Sequence, residues 1–180
     1  MAPPVFMRRT IMFAGLSSWG AARAQPPAGS LSMAPPALLD YAATALTHMI
    51  EDARQQAIAD GVRPVPQGIY RSLLGYFPAA LLQKARFAGA GARALTLPAL
   101  AFGYGDAVAL TLGDVVLFKS ERMAQSNLKV WAHEMTHVMQ YQRWGIAGFA
   151  DRYVRDSAAV EREAIDNAAR FMTWIGRKPA

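Results

Sequence analysis

The chain has 180 residues, of which 53% are apolar and 18% are charged, so its composition excludes a disordered protein and favours one globular domain. It contains no cysteine, which excludes disulfide bonds and thiolate metal sites and leaves histidine and carboxylate side chains as the available metal ligands. The formal net charge of +6 falls to +3 when the three arginines of residues 1–24 are left out, and this excess is too small to predict nucleic-acid binding.

Residues 1–24 have the pattern of a signal peptide. An arginine pair is followed by an apolar run and then by an A-x-A sequence, which predicts cleavage after Ala24. The run is shorter than the roughly 20 apolar residues that cross a bilayer, so an uncleaved anchor is a less favoured alternative, as is a cytosolic tail. Translation from Met7 would give a shorter basic region. We therefore expect a periplasmic or secreted protein without a membrane span in its mature chain, exported by either the general or the twin-arginine route.

The mature chain is predicted to form a single domain over residues 37–176. Residues 25–36 are rich in proline, alanine, glycine and serine and are interpreted as a flexible leader. Apolar residues then recur at helical spacing and predict an amphipathic helix over 37–60. Two shorter helices are predicted over 69–76 and 79–85, with a proline introducing the second.

The region from 86 to 118 favours extended structure over helix. Apolar residues alternate with small or polar ones between 108 and 112, Gly113 and Asp114 form a turn signal, and four apolar residues follow at 115–118. A β-hairpin is therefore predicted. Glycine and proline residues divide the apolar stretch before the hairpin into pieces too short to cross a membrane.

A helix predicted from about 126 to 144, with Gly145 at its C-terminal cap, carries the most informative motif. His133 and His137 are four residues apart, so both imidazoles project from one face and can reach a single cation, while Glu134 lies beside them. Random order of this composition would give an H-E-x-x-H pattern with a probability of only roughly 0.1%. The motif predicts a metal site with an adjacent base, because these polar groups are costly on an apolar helix that binds no cation.

A zinc site needs a third protein ligand, and in a chain without cysteine that ligand is expected to be a carboxylate. The candidates downstream of the motif are Asp151, Asp156, Glu161, Glu163 and Asp166. In a helix predicted over 158–175, Glu161 leads an apolar stripe that comprises Ala164, Ile165, Ala168, Met172 and Ile175. Glu163 instead shares a polar face, typical of a solvated surface, with Asp166, Asn167 and Arg170. Glu161 is therefore the favoured ligand, and Glu163 as ligand or a purely structural Glu161 are the open alternatives.

Three stretches of the sequence carry a family resemblance: GDAVALTLGDVVLF, WAHEMTHVMQYQRWG and AVEREAIDNAARF. Together they resemble the eCIS core domain, a small bacterial family, and the resemblance covers the chain from 64 to 172. The spacing from the motif to a glutamate on a second helix is also similar to that of the glutamate-zincin clan of metallopeptidases. The resemblance implies an α+β, mostly helical zincin-like fold, with a small antiparallel sheet or hairpin beside the H-E-x-x-H helix.

The same resemblance implies roles for the site residues. His133, His137 and Glu161 would bind one Zn²⁺ ion, and Glu134 would act as general base toward the attacking water. Many zincins have an acid four residues after the ligand glutamate that holds a ligand histidine, but this chain has Ile165 at that position. The partner of the histidine is therefore expected elsewhere in the fold.

The implied function is zinc-dependent hydrolysis of a peptide or protein substrate. Tyr141, one turn beyond the histidines, and Tyr153, in a predicted loop, are candidate donors to the oxyanion, with packing as the alternative role for both. The strand predicted at 115–118 would line the cleft and bind an extended peptide. Two alternatives stay open: a non-catalytic, zinc-stabilised binding or toxin-associated module, and a helical protein without metal. The sequence identifies neither the substrate nor the oligomeric state.

Overall fold

The computed structural model describes residues 34–89 and 107–177 of the chain. In these ranges the chain forms five helices, α1 (Pro36–Asp60), α2 (Gln67–Leu73), α3 (Ala79–Lys84), α4 (Glu121–Ser126) and α5 (Leu128–Ile175). It also forms four short strands, β1 (Arg63–Pro64), β2 (Arg86–Gly89), β3 (Ala109–Leu112) and β4 (Val115–Phe118). The prediction of a mostly helical α+β fold is confirmed. The predicted signal peptide and nearly all of the predicted leader lie outside the described residues, as does the stretch 90–106.

α1 is an amphipathic helix that packs mainly against α5. Its buried residues recur three or four positions apart and are Ala43, Leu46, Ile50, Ala53 and Ala57. The helix predicted over 37–60 is therefore confirmed, and α2 and α3 correspond to the two short helices predicted after it. None of the helices in the described ranges is long and apolar enough to cross a membrane.

The four strands form one mixed sheet in the order β1-β2-β4-β3. β3 and β4 pair as the predicted antiparallel hairpin, and Gly113 takes the positive φ of 69° that the turn between them requires. β2 lies parallel to β4 on its other side, so the sheet is mixed and includes one strand pairing that the sequence did not predict. No turn signal marks such a pairing, because a parallel partner comes from a distant part of the chain.

α5 is one long helical element interrupted at two positions. Gly145, with φ 69° and ψ 175°, and Asp156, with φ −153° and ψ 73°, are not helical. These breaks divide α5 into a first segment (128–144), a second segment (146–155) and a third segment (157–175). The first and third segments correspond to the two predicted helices. The expectation that Tyr153 lies in a loop is wrong, because the chain resumes a helix directly after Gly145.

Trp131 fixes the first segment of α5 against the sheet. Its ring lies 4.8 Å from that of Phe118 and 5.8 Å from that of Phe87, and its indole N–H donates to the carbonyl of Ala124 at 2.7 Å. Trp131 is fully buried, so this contact sets the rotation of the helix about its axis. His133, two residues further on, then projects from the other side of the helix, toward the third segment.

Candidate metal centre

Three predicted ligands come together where the first and third segments of α5 face each other. The Nε2 atoms of His133 and His137 are 3.0 Å apart. Glu161 places Oε2 at 3.4 Å from His133 Nε2 and Oε1 at 3.7 Å from His137 Nε2. The two histidines are buried and the glutamate side chain is 18% exposed, so this His–His–Glu group sits just below the surface.

The His–His–Glu group has dimensions that suit a small divalent cation. Tetrahedral zinc with ligand distances of about 2.0–2.1 Å separates its ligand atoms by about 3.3–3.4 Å. The two histidine nitrogens are 3.0 Å apart, and the separations of 3.4 Å and 3.7 Å join them to different oxygens of Glu161. One ligand atom from each residue lies within 4.8 Å of the others. These residues could therefore hold a metal ion.

The electrostatics of the His–His–Glu group also favour a positive charge. Burial acts to lower the pKa of His137, but its hydrogen bond to Glu161 and the charges of Glu161 and Glu134 outweigh burial and raise that pKa to about 9. Burial acts to raise the pKa of Glu161, but hydrogen bonds from His133 and His137 hold it well below its usual value. In the absence of metal the cluster therefore keeps a proton, and a bound cation takes that proton's place.

Glu134 lies beside the group and is 2% exposed. The hydroxyl of Thr111, on β3, donates to Glu134 Oε2 at 2.7 Å and also lies 3.3 Å from the Glu134 carbonyl oxygen. This contact holds one oxygen of the carboxylate and fixes its direction. The sequence did not identify Thr111, and its only local signal is a polar residue at a buried position of the hairpin.

Gln140 is the hydrogen-bond partner of the candidate ligand His137, a partner that the sequence did not identify. Its Oε1 lies 2.7 Å from His137 Nδ1, and its Nε2 donates to the carbonyl of Val160 at 3.1 Å and to Glu163 Oε2 at 3.0 Å. Ile165 stands where many zincins have an acid, but its side chain is 50% exposed and apolar, so it cannot hold a ligand histidine by a hydrogen bond. The signal that could have indicated Gln140 is its position three residues after His137, on the same face of the helix.

The third segment of α5 differs from its prediction at two positions. Ile165 and Met172 are 50% and 39% exposed, so they do not belong to the buried stripe, and the fully buried Phe171 takes their place. The true stripe still includes Ala164 and Ala168, which are three and seven residues after Glu161. Glu161 therefore lies at the head of a buried face even though part of the predicted stripe was wrong.

The predicted solvated face of the third segment is partly an interface with the first segment. Glu163 contacts Gln140, and Asn167 donates to the hydroxyl of Thr136 at 2.8 Å. Among the other candidate acids, Asp151 pairs with Arg155 at 2.7 Å, Asp156 accepts from the backbone N–H of Ala159 at 3.0 Å, and Asp166 is exposed. These three acids lie outside the His–His–Glu group.

The two candidate tyrosines have different surroundings. The Tyr141 hydroxyl donates to the Thr111 carbonyl at 3.3 Å, whereas the Tyr153 hydroxyl donates to Glu161 Oε1 at 3.2 Å. Burial, together with the negative charges of the neighbouring glutamates, raises the pKa of both phenols well above their usual value. Both therefore remain protonated donors, and Tyr153 is the one in contact with the His–His–Glu group.

The expectation that residues 115–118 bind an extended peptide by strand addition is wrong. These residues form β4, which lies between β2 and β3 and uses both edges for pairing within the sheet. β3 has one strand partner among the described residues, but its Thr111 carbonyl already accepts from Tyr141.

Comparison with known families supports the resemblance identified in the sequence. Residues 83–145 match the model of the eCIS core domain, which covers β2, the hairpin and the first segment of α5 with its H-E-x-x-H motif. The resemblance is thus confirmed for this segment, whereas Glu161 lies beyond the matched range. No curated protein and no solved structure matches the chain at a significant level.

Proposed function

We propose that the protein is a zinc-dependent peptidase of the glutamate-zincin type, in which His133, His137 and Glu161 bind one Zn²⁺ ion. Two imidazoles and one carboxylate are a donor set that catalytic zinc sites use, and three protein ligands leave one position open. The separations between these donor atoms support the proposal. The absence of cysteine from the sequence removes the thiolate sets that usually form closed structural sites.

The observation that carries the enzymatic proposal is the placement of Glu134. A structural metal site needs only ligands, yet an additional carboxylate is buried beside the His–His–Glu group, and metal binding alone does not explain the cost of its desolvation. A bound zinc ion would supply Lewis acidity and would lower the pKa of a bound water toward about 7. Glu134 would accept the proton of the attacking water and deliver it to the leaving amine.

Two further residues would support this chemistry. Thr111 donates to Oε2 of the Glu134 carboxylate, and the other oxygen would accept the proton of the reacting water. Tyr153, whose hydroxyl lies at the ligand carboxylate, is the better placed of the two tyrosines to donate to a developing oxyanion. Tyr141 would instead fix the first segment of α5 to β3.

A second candidate function is a non-catalytic, zinc-stabilised binding or toxin-associated module. The His–His–Glu group connects the first and third segments of α5, so a metal ion there would hold the two segments together whether or not turnover occurs. The hydrogen bond from Thr111 also gives Glu134 a structural partner. These contacts would stabilise the fold with or without catalysis, so they are compatible with a non-catalytic module as well as with an enzyme.

Replacement of Glu134 by glutamine separates the two functions. Glu134→Gln keeps the shape and can still accept from Thr111, so we expect zinc content and thermal stability to be retained. Hydrolysis of an unstructured peptide pool should fall by about 10² or more, the usual contribution of a positioned general base. The matched control is Glu51→Gln, whose side chain is 49% exposed on α1 and which should change neither property. Zinc binding by wild type and variant without cleavage by either would favour the module.

A further inference from the structure

A fully buried amide lies behind the His–His–Glu group. Gln140 has no exposed surface, and each of its two polar atoms meets a partner on a different part of α5. Its oxygen faces the ring of His137 in the first segment, and its nitrogen faces the third segment. An apolar side chain of similar volume would fill this position without the cost of desolvating an amide, so the choice of glutamine requires an explanation.

The contacts of this amide fix its orientation. The partners on one side, the carbonyl of Val160 and the carboxylate of Glu163, are acceptors only, so the NH₂ group of Gln140 must lie there. Its carbonyl oxygen therefore faces His137 Nδ1, which must carry a proton in order to donate. The remaining ring nitrogen of His137, Nε2, is then the one directed at the His–His–Glu group.

Glu163 takes part in this orientation through a second interaction. Its Oε1 lies 3.2 Å from the guanidinium of Arg143, while its Oε2 accepts from Gln140. The carboxylate is thus held at both oxygens, and it selects the NH₂ end of the amide over the carbonyl end. A side chain that is 36% exposed thus accepts a hydrogen bond from a fully buried amide.

We propose that Gln140, oriented by Glu163, is a positioning residue for the zinc site: it holds the His137 ring so that Nε2 points at the metal. The inference rests on the proposed zinc binding and adds a function for two residues that bind no metal. Partners of this kind fix the tautomer and the ring direction of a ligand histidine, and their loss typically weakens metal binding by roughly 10–100-fold.

The first test is Gln140→Leu, which keeps the volume and removes all three hydrogen bonds of the amide. We expect the zinc dissociation constant, measured by competition with a chromophoric chelator, to rise by roughly 10–100-fold. The matched control is Gln142→Leu on the exposed face of the same helix, which should bind zinc like wild type. In ¹⁵N NMR spectra of wild type the His137 Nδ1–H should be visible and slowly exchanging, with or without zinc, whereas in Gln140→Leu this proton should exchange rapidly with solvent and its signal should disappear.

A double-mutant cycle tests the role of Glu163. Glu163→Leu should weaken zinc binding less than Gln140→Leu, because the Val160 carbonyl still accepts from the amide. In the Gln140→Leu background, Glu163→Leu should have no further effect, since Glu163 acts only through Gln140. Asp166→Leu, on the exposed face of the third segment, is the control for a lost acid and should be neutral.

A second variant serves if Gln140→Leu does not fold. Gln140→Met, which is unbranched like glutamine, also removes the hydrogen bonds to His137, Val160 and Glu163, so it should weaken zinc binding by a similar roughly 10–100-fold. An unprotonated Nδ1 on His137, or wild-type zinc affinity in both Gln140→Leu and Glu163→Leu, would overturn the inference. A wild-type protein that binds no zinc would remove the proposed function instead, and slow exchange of the His137 Nδ1–H in zinc-free wild type but not in zinc-free Gln140→Leu would still show that Gln140 holds the ring.

Discussion

Glu161 is the residue through which the third segment of α5 reaches the two histidines of the first. Its carboxylate oxygens lie 3.4 Å and 3.7 Å from the histidine Nε2 atoms, whereas Glu163, two residues on, faces Gln140 and Arg143. The two acids thus have different partners, because residues two apart on a helix project in directions about 200° apart. The proposed ligand and the proposed positioning acid can therefore be tested separately by mutation.

We expect Glu161→Ala to abolish stoichiometric zinc binding, because only two protein ligands remain. Glu163→Ala should still bind one equivalent of zinc at saturation, although with a weaker affinity, because it removes no ligand. Atomic emission analysis after dialysis against buffered zinc measures both, and Asp166→Ala provides the control of an exposed acid on the same segment. Equal zinc content in the Glu161 and Glu163 variants would contradict the ligand assignment.

The residues of the centre differ in how far the sequence could predict them. The pair His133 and His137 lies on one helix, so their spacing alone predicts that they share a face, and the structure places them together. Thr111 contacts Glu134 from 23 residues away, and no local pattern encodes such a distance. The position of Gln140 three residues after His137 is a local signal, but its contacts with Val160 and Glu163, 20 and 23 residues away, are set by tertiary packing. Their roles required the fold.

At the scale of elements, the non-helical Gly145 allows the third segment of α5 to pack against the first. Its φ of 69° and ψ of 175° end the first segment and redirect the chain, so that the third segment can bring Glu161 to the histidines. L-amino acids with a side chain rarely adopt this conformation. A Cβ at this position would meet no other atom within 4 Å, so any cost of substitution is conformational rather than steric.

Gly145→Ala should lower the free energy of unfolding by about 1–3 kcal/mol, the usual cost of a residue held in a rarely populated backbone region. Urea denaturation of the zinc-free protein measures the change. Gly68→Ala is the matched control, because Gly68 lies in α2 with a negative φ and open space around it, and alanine is favoured in a helix. The same free energy of unfolding in both variants would show that the bend at Gly145 is not strained.

The elements also show where periodicity misleads. The hairpin and the helix over 37–60 follow from local alternation and helical spacing, and both are seen. In the third segment, Ile165 and Met172 each follow a buried residue but are themselves exposed. Consecutive residues of a helix project about 100° apart, so one position is enough to move a side chain from the core to the solvent. The parallel pairing of β2 with β4 likewise depends on a long-range contact.

At the scale of the whole molecule, the His–His–Glu group connects stability with pH. The pKa of His137 is raised from 6.5 to about 9, so its contribution to stability is fully present below pH 6.5 and is lost as the pH rises toward 9. The pKa of Glu161 is lowered from 4.5, so its contribution is present above pH 4.5 and is lost as the pH falls. In the zinc-free protein this pair therefore contributes most between pH 4.5 and 6.5.

Zinc should stabilise the protein more strongly as the pH rises from 6.5 toward 9, where the zinc-free protein loses the contribution of His137. Between pH 6.5 and about 9 the zinc-free group holds a proton on His137 that zinc must displace, so zinc affinity should increase by about tenfold per pH unit. The increase in Tm on addition of zinc should consequently be larger at about pH 8.5 than at about pH 6.5, since stabilisation by a ligand grows with the ratio of its concentration to Kd. Thermal denaturation with zinc and with a chelator at both pH values measures the difference.

Glu161→Ala is the control and should show no zinc-dependent shift at either pH, because the loss of its carboxylate removes a ligand. A zinc-dependent shift that is equal at both pH values in wild type would mean that zinc displaces no proton from His137, and that it binds somewhere other than at the His–His–Glu group.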